Sequence, residues 1–202
     1  PREHIFLQTN QIVYIHRETE RETGLEFRKK LEKLQQTIQE FLVNRGVEID
    51  FLIGIGKTVT GYHELKESFK SSKIALKYIK VIRRMIGDES KSVIDSTKIG
   101  FFYHVIEKMK DINQLQAFIP ESLSKLRQYD IQKNGELVDT LECYLNANQS
   151  LKKTSELMFI HYRTASYRLQ KIIEITNIDF NNAAEVLVVR NGLIAIRVLE
   201  IM

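Results

Sequence analysis

A short segment near the C-terminus of this 202-residue chain concentrates side chains that can bind an anion. Residues 150–173 contain five Lys and Arg residues and a single acidic residue, Glu156. Over the longer stretch from Glu136 to Met202, seven basic residues stand against eight acidic ones. The positive charge is therefore concentrated in one segment, which is the pattern expected of a surface that faces phosphate groups.

The apolar and small residues of the same segment predict two short helices joined by a tight turn. Ser155 is small at the point where a second helix would cross the first, and Met158 supplies a buried end. Ile160 would fill the turn, while Ala165 and Leu169, four residues apart, give the second helix an inward face. This arrangement is typical of a helix-turn-helix.

The outward face of the second helix is predicted to read DNA, because a helix in the major groove contacts base edges with its first turns. The predicted base-contacting residues are Tyr162, Arg163, Ser166 and Tyr167. The guanidinium of Arg163 presents a planar fork of donors that fits a guanine edge. The predicted phosphate-contacting residues are Lys152, Lys153, His161, Thr164, Arg168 and Lys171.

Two alternatives stay open for this segment. His161 either caps the exposed amides of the second helix or touches a phosphate. The segment as a whole could also be an amphipathic helical hairpin with a solvated basic face. No acidic residue interrupts His161 to Ile173, which fits DNA binding because carboxylates there would repel phosphates.

The stretch Thr154 to Ile172 resembles the C-terminal helix-turn-helix of the PucR/CdaR family of transcriptional regulators, whose signature is roughly T-A-x-x-L-x-x-H-x-N-T-x-x-Y-R-L. Upstream, Leu126 to Asp130 and Glu136 to Leu145 are similar to the L-x-x-Y-D and L-x-x-T-L-x-x-Y-L elements of that family. The resemblance implies a sequence-specific regulator of metabolic genes that binds double-stranded DNA. This chain departs from the family at four positions, Ser155, Arg163, Ala165 and Asn177. Arg163 replaces an asparagine, so the family's operator cannot be carried over.

The N-terminal half resembles the GGDEF-like domain that precedes this helix-turn-helix in the family. The resemblance rests on Gly54 to Gly61 and on Glu64 to Leu76. Nucleotide cyclases of that fold hold metal and phosphate in a hairpin turn, which here would be residues 8–11, with the sequence QTNQ. This turn has neither glycine nor carboxylate, so two-metal nucleotide chemistry is not expected.

The predicted fold class is α+β, with a small mixed β-sheet and helices followed by an all-α domain. Strands are predicted in residues 5–15, as a hairpin, and in residues 48–56 and 92–94. Helices are predicted at 24–44, 65–82, 99–108, 112–119, 121–129 and 136–146. The predicted domains are a GGDEF-like domain at 1–97, a helical connector at 98–135 and a helix-turn-helix domain at 136–202.

Other chemistries lack their required residues. The run GIGKT at residues 54–58 invites a phosphate-loop reading, but Phe51 stands where the first glycine is needed. A dinucleotide fingerprint also fails, because Val59 takes the third glycine position. The histidines show no paired metal spacing, and Cys143 lies on an apolar helical pattern without a candidate base. No catalytic residue, metal or cofactor is therefore predicted.

Composition indicates where the protein is located and which partners it is expected to have. A net charge of +4 is mild, and a single cysteine with no apolar run long enough to span a bilayer favours a cytoplasmic protein. The chain begins at Pro1 without an initiator methionine, so a longer protein is expected, and its upstream part would hold any sensory module. An unidentified small-molecule effector is a further candidate partner. The apolar segment 183–202 either packs inside its domain or forms a homodimer, which would match paired half-sites on DNA.

The alternative function is a nucleotide-handling or ligand-sensing GGDEF-like protein whose helical half is a protein-interaction adaptor.

Overall fold

The computed structural model describes residues 4–8, 10–17, 23–88, 90–99, 105 and 111–201, which divide into two compact units, 1–53 and 54–202. The strands of this described part are β1 (His4–Gln8), β2 (Gln11–Ile15), β3 (Ile53–Ile55) and β4 (Val93–Asp95). Its α-helices are α1 (Gly24–Val43), α2 (Leu65–Lys77), α3 (Ile79–Ile86), α4 (Glu121–Lys133), α5 (Leu137–Asn146), α6 (Leu151–Leu157), α7 (Tyr162–Thr176) and α8 (Ala183–Glu200). Short 3₁₀ helices cover Tyr62–Glu64, Ser96–Ile99 and Ile112–Phe118.

The first unit contains a β-hairpin and the long helix α1. Strands β1 and β2 pair antiparallel with Gln8 opposite Gln11, which confirms the predicted hairpin; Thr9 lies outside the described residues. Helix α1 begins with a capping box, in which the Thr23 hydroxyl accepts from the Glu26 amide and the Glu26 carboxylate accepts from the Thr23 amide. The helix ends at Val43, one residue short of its predicted end.

The strand predicted at residues 48–56 is reduced to the three residues of β3. The side-chain amide of Gln35 donates to the carbonyl of Phe51 at 2.9 Å. Gln39 donates to the carbonyl of Ile49 at 3.0 Å and accepts from the amide of Phe51 at 2.8 Å. Because these backbone groups are satisfied by glutamines of α1, they do not need a neighbouring strand.

The single mixed sheet of the prediction is corrected by the structure. The described strands form two separate two-stranded sheets, one of β1 with β2 and the other of β3 with β4. Strand β4 covers Val93–Asp95, one residue later than predicted. Strands β3 and β4 have three residues each, which leaves little backbone for pairing with a further strand. Most of the described residues lie in helices.

The glycines around β3 allow a close approach to α2. A β-carbon on Gly54 would lie 2.5 Å from the carbonyl oxygen of Ser72, and one on Gly56 would lie 2.2 Å from that of Ser68. Both distances are too short for any side chain, so the two glycines serve strand-to-helix packing. The predicted helix at 65–82 is two helices, because the backbone turns at Tyr78.

The helical part of the second unit packs around a core drawn from α4, α5, α7 and α8. The buried core residues are Leu123, Leu126, Leu137, Val138, Leu141, Leu145, Ile172, Ile178, Val189, Leu193 and Ile196. The helices predicted at 121–129 and 136–146 are confirmed, the first extending to Lys133. The segment predicted as a helix at 112–119 is a 3₁₀ helix.

Two further predictions are not tested by these elements. The helix predicted at 99–108 falls outside the described residues except at positions 99 and 105. The domain boundaries after residues 97 and 135 stay a prediction. None of the helices in the described ranges is long and apolar enough to cross a membrane.

Helix α8 approaches the segment before α4 closely at Gly192. A β-carbon on Gly192 would lie 2.5 Å from Cδ of Pro120, 2.7 Å from Cδ1 of the buried Leu123 and 3.3 Å from the carbonyl oxygen of Phe118. The proline ring and the backbone oxygen cannot move aside as a flexible side chain would. Gly192 therefore sets the depth at which α8 sits in the core.

We expect Gly192→Ala to lower the free energy of unfolding by about 1–3 kcal/mol, because the added methyl group overpacks the core. Urea unfolding followed by circular dichroism measures this change. Gln128→Ala, at an exposed position of α4, serves as the control and should stay within about 0.5 kcal/mol. Equal stability of Gly192→Ala and the wild type would show that α8 does not pack this closely.

Candidate nucleic-acid interface

Helix α6, the first helix of the predicted helix-turn-helix, has a side-chain cap at its N-terminus. The Ser150 hydroxyl accepts from the amide of Lys153 and caps the helix. Thr154 and Ser155 are buried, and each hydroxyl donates to a backbone carbonyl of the preceding turn. The predicted small residue at the helix crossing, Ser155, is therefore confirmed as buried, with its polar group satisfied.

The turn after α6 leads into a helix capped by histidine. Met158 is the C-cap of α6 and is half-buried rather than buried as predicted, and Ile160 is half-buried in the turn. His161 is the N-cap of α7, and its ring Nδ1 accepts from the amide of Arg163 at 3.1 Å. Of the two roles left open for His161, the structure shows the cap.

Helix α7 turns its predicted inward face to the core. Ala165 and Leu169 are buried, as is Ile172 one turn further on. The helix packs against α4, α5 and α6. This contact with three helices fixes which face of α7 points outward.

The outward face of α7 carries most of the predicted base-contacting residues. Tyr162, Arg163 and Tyr167 are exposed, and Ser166 is half-buried beside them. Thr164 is also exposed, as are Lys152 and Lys153 of α6. Within the described residues, no ion pair or side-chain hydrogen bond engages Arg163, Lys152 or Lys153. These three cations can therefore meet an external anion without losing an internal partner.

Two of the predicted phosphate contacts are engaged inside the domain. The guanidinium of Arg168 forms an ion pair with Glu136 at 2.9 Å and donates to the hydroxyl of Thr140 at 3.4 Å. Lys171 pairs with Glu174 at 3.0 Å, and this hydrogen bond raises the pKa of Lys171 above its ordinary value. The contact of Arg168 ties α7 to the start of α5.

Asp130, which the sequence reading placed only in a family element, fixes the start of α5. Its carboxylate accepts from the amides of Leu137 at 2.9 Å and Val138 at 2.8 Å. A carboxylate at this end of a helix satisfies free amides and complements the helix dipole. A β-carbon on Gly135 would lie 2.5 Å from this carboxylate, so the glycine leaves room for the cap.

Arg197 of α8 is a buried cation that the sequence reading missed. It donates to Glu142 at 2.7 and 3.0 Å and to Glu200 at 2.9 Å, and it also pairs with Asp139. Burial alone would lower the pKa of Arg197, but the carboxylates, Glu142 foremost, outweigh burial and hold this pKa above its ordinary value. The available signal was the apolar run LIAIRVL at residues 193–199, in which Arg197 is the single polar residue.

Two more arginines hold α5 from its other sides. Arg190 of α8 donates to the carbonyl of Leu145 at 2.6 Å and so satisfies the end of α5. Arg84 of α3 shares the carboxylate of Asp139 at 3.1 Å, and Asn146 donates to the carbonyl of Arg84 at 2.6 Å. Helix α5, against which α7 packs, is thus anchored at both ends and on its outer side.

Cys143, the one cysteine of the chain, is a poor candidate for a nucleophile. Cys143 is half-buried on α5, and burial, with the nearby charge of Glu142, raises the pKa of its thiol. A raised pKa keeps the sulfur in its less nucleophilic neutral form. No group of three or more His, Cys, Asp or Glu within the described ranges is arranged to hold a metal ion.

We expect Arg168→Ala and Glu136→Ala each to lower the free energy of unfolding, with a coupling of about 0.5–1 kcal/mol in the double-mutant cycle, because their ion pair is partly buried. Thermal and urea unfolding of the four proteins measures the coupling. Lys152→Ala, which removes an exposed and unpaired cation, is the matched control and should leave stability unchanged. A coupling of zero would mean that Arg168 does not position α7.

Comparison with known proteins agrees with this geometry. Residues 137–195 match the family profile of the PucR C-terminal helix-turn-helix domain. A segment of 130 residues is 32% identical to the proline-responsive transcriptional activator PutR of Bacillus subtilis (strain 168), covering 64% of this chain and 30% of the relative. A segment of 121 residues is 30% identical to the DNA-binding transcriptional activator AdeR of the same organism, covering 60% of this chain and 28% of the relative.

A third relative covers more of the chain at lower identity. The carbohydrate diacid regulator of Escherichia coli (strain K12) is 25% identical over 160 residues, which are 77% of this chain and 37% of that protein. The chain thus spans about a third of the length of these relatives. No solved structure matches the chain. Residues 137–195, which hold α5, α6, α7 and most of α8, form a PucR C-terminal helix-turn-helix domain.

Proposed function

We propose that this chain is the DNA-binding part of a transcriptional regulator and that it binds double-stranded DNA through α7. The observation that carries the proposal is the outward face of α7, where Arg163 stands exposed and unpaired between two exposed tyrosines. The matching domain and the names of the relatives support it. The proposed role is binding, with no catalytic turnover.

The proposal divides the exposed residues into two classes. Tyr162, Arg163, Ser166 and Tyr167 contact base edges, because they lie on the first turns of the helix that enters the major groove. Lys152 and Lys153 contact phosphates on the flanking strand, with Thr164 and the His161-capped end of α7 beside them. Arg168 and Lys171 reach phosphates only if they leave Glu136 and Glu174. Arg168 mainly holds α7 against the start of α5, whereas the pair of Lys171 and Glu174 lies within α7 itself.

Binding to duplexes drawn from a random pool by the wild-type chain tests this division. We expect Arg163→Ala to weaken binding to the selected duplex by about 1–3 kcal/mol and to change which bases are preferred. Lys152→Ala should weaken binding to all duplexes alike and lower the slope of log K against log salt by about 1, because one phosphate contact is lost. Fluorescence anisotropy at several salt concentrations measures both effects.

The control for this experiment is Gln128→Ala, an exposed position on α4 that lies outside the motif. Its affinity and salt slope should match those of the wild type. Equal losses on selected and unselected duplexes for both Arg163→Ala and Lys152→Ala would contradict the division between base and phosphate contacts. Failure of the wild-type chain to bind any duplex would contradict the proposed function itself.

We further propose that the protein acts as a homodimer and that the first half of α8 forms the contact. Residues 189–198 of α8 are largely buried in the domain, whereas Leu187 and Val188 are 58% and 51% exposed. Exposed apolar side chains beside each other on a helix favour a second apolar surface. Two recognition helices related by a two-fold axis would read paired half-sites.

We expect the double variant Leu187→Glu and Val188→Glu to sediment as a monomer where the wild type sediments as a dimer, because buried like charges would face each other across the contact. Sedimentation velocity of free and DNA-bound protein measures this state. Gln128→Glu, which adds an exposed carboxylate elsewhere, should leave the dimer intact. A wild type that is monomeric both free and on DNA would remove the dimer from the proposal.

The remaining parts of the proposal concern the N-terminal domain, the genes that are regulated and the signal to which the protein responds. We propose that residues 1–97 form a GGDEF-like domain without nucleotide chemistry, on the strength of the resemblance at Gly54–Gly61 and Glu64–Leu76. Proline-responsive and carbohydrate diacid regulators are among the relatives, so we propose that this protein acts in the cytoplasm on metabolic genes in response to a small-molecule effector. Incubation of the chain with nucleoside triphosphates and Mg²⁺ tests the first statement, because turnover would contradict it.

A further inference from the structure

Phe159, in the turn between α6 and α7, occupies a position that suits glycine. Its φ of +54° lies in the left-handed region, where a β-carbon crowds the neighbouring carbonyl. The Phe159 amide donates to the carbonyl of Glu156, and the Ile160 amide donates to that of Ser155. These two hydrogen bonds form a Schellman motif with Phe159 at the residue that is most often glycine.

Most of the other left-handed positions of the described chain that lack glycine are filled by asparagine. Besides Phe159, the described residues other than glycine with positive φ are Asn134, Asn148, Gln149 and Asn177. Asparagine tolerates this conformation because its short polar side chain can hydrogen-bond locally. Phe159 is thus the one aromatic residue of the described chain that is held in this strained backbone.

The folded domain gains almost no packing from the ring of Phe159. The residue is 97% exposed, so its apolar surface remains in water. A fully exposed phenylalanine on a left-handed backbone therefore lowers the stability of the fold compared with glycine at the same place. A contact outside the domain would explain why an apolar ring stands at this position.

The position of Phe159 along the chain points to DNA as the source of that contact. Phe159 lies two residues before His161, the N-cap of α7, so at most about 7 Å of backbone separates it from the end of the helix that enters the groove. The apolar group that DNA offers at the major-groove edge is the C5-methyl group of thymine. Tyr162, at the first position of α7, is also exposed, so a second aromatic ring lies three residues along the chain from Phe159.

We propose that Phe159 contacts DNA and reads the methyl group of a thymine at the edge of the site bound by α7. This inference rests on the proposed DNA binding and adds an apolar contact to its polar ones. The contact carries no charge and releases no counterion, so it acts on sequence preference without changing the salt dependence.

The first test is Phe159→Gly, which separates stability from binding. We expect the melting temperature to rise by about 2–4 °C, because glycine relieves the left-handed strain. Affinity for a duplex selected by the wild type from a random pool should fall by about three- to tenfold at an unchanged salt slope. Leu157→Ala, another exposed apolar residue two positions away at the end of α6, is the matched control and should bind as the wild type does.

The second test replaces each thymine of the selected duplex, one at a time, by uracil, which lacks the methyl group. We expect one position at which the wild type loses about three- to fivefold in affinity and Phe159→Gly loses nothing. Identical uracil profiles for the two proteins, or wild-type affinity of Phe159→Gly, would overturn the inference. Unchanged DNA binding with loss of transcription in a reconstituted assay would also overturn it, in favour of a protein contact.

Failure of this inference is distinguishable from failure of the proposed function. If the wild type selects no duplex at all, DNA binding by α7 is contradicted and the contact of Phe159 falls with it. If the wild type selects a duplex that Arg163→Ala binds poorly and Phe159→Gly binds normally, DNA binding stands and only the role of Phe159 is contradicted.

Discussion

The burial of the Arg197 guanidinium is the constraint on which the helical domain depends. A cation with so little solvent must be surrounded by carboxylates, and Glu142 and Asp139 of α5 and Glu200 of α8 surround it. The oxygens that neutralise the charge therefore fix the position of α5 on α8. Removing Glu142, the most buried of the three carboxylates, would take two hydrogen bonds from a buried guanidinium, which is more destabilising than losing an exposed ion pair.

Helix α5 connects this buried charge to the outward face of α7, the proposed DNA-binding surface. Asp130 satisfies its first amides and Arg190 the carbonyl of Leu145 near its end, so both ends are held by side chains from neighbouring helices. Arg168 then joins α7 to the start of α5 through Glu136, while Ala165 and Leu169 bury the inner face of α7. With its inner face fixed in this way, α7 presents Arg163 and the two tyrosines outward without any need for them to rearrange. Such preorganisation lowers the entropy that must be lost on binding.

The parts of the structure that the sequence predicts are those set by local pattern. The helix period, the small Ser155 and the apolar pair of Ala165 and Leu169 define the motif within about twenty residues. The prediction of a single sheet with a strand at residues 48–56 was wrong because side-chain hydrogen bonds from distant residues satisfy that backbone. Gln35 and Gln39 bind the backbone around Phe51 and so replace a strand partner. The partner of Arg168, Glu136, is likewise distant in sequence, and charge pattern alone does not reveal it. The cap formed by His161 was one of two open roles and is shown by its 3.1 Å hydrogen bond, while the phosphate contact stays a prediction.

The most direct measurement is methylation of guanine N7 by dimethyl sulfate on a duplex that the wild-type chain selects, because N7 lies in the major groove. If α7 enters that groove, the wild type will protect at least one guanine, and Arg163→Ala will restore methylation at that guanine while other protected positions remain protected. Absence of any protection, or the same pattern with Arg163→Ala as with the wild type, would contradict base reading by α7.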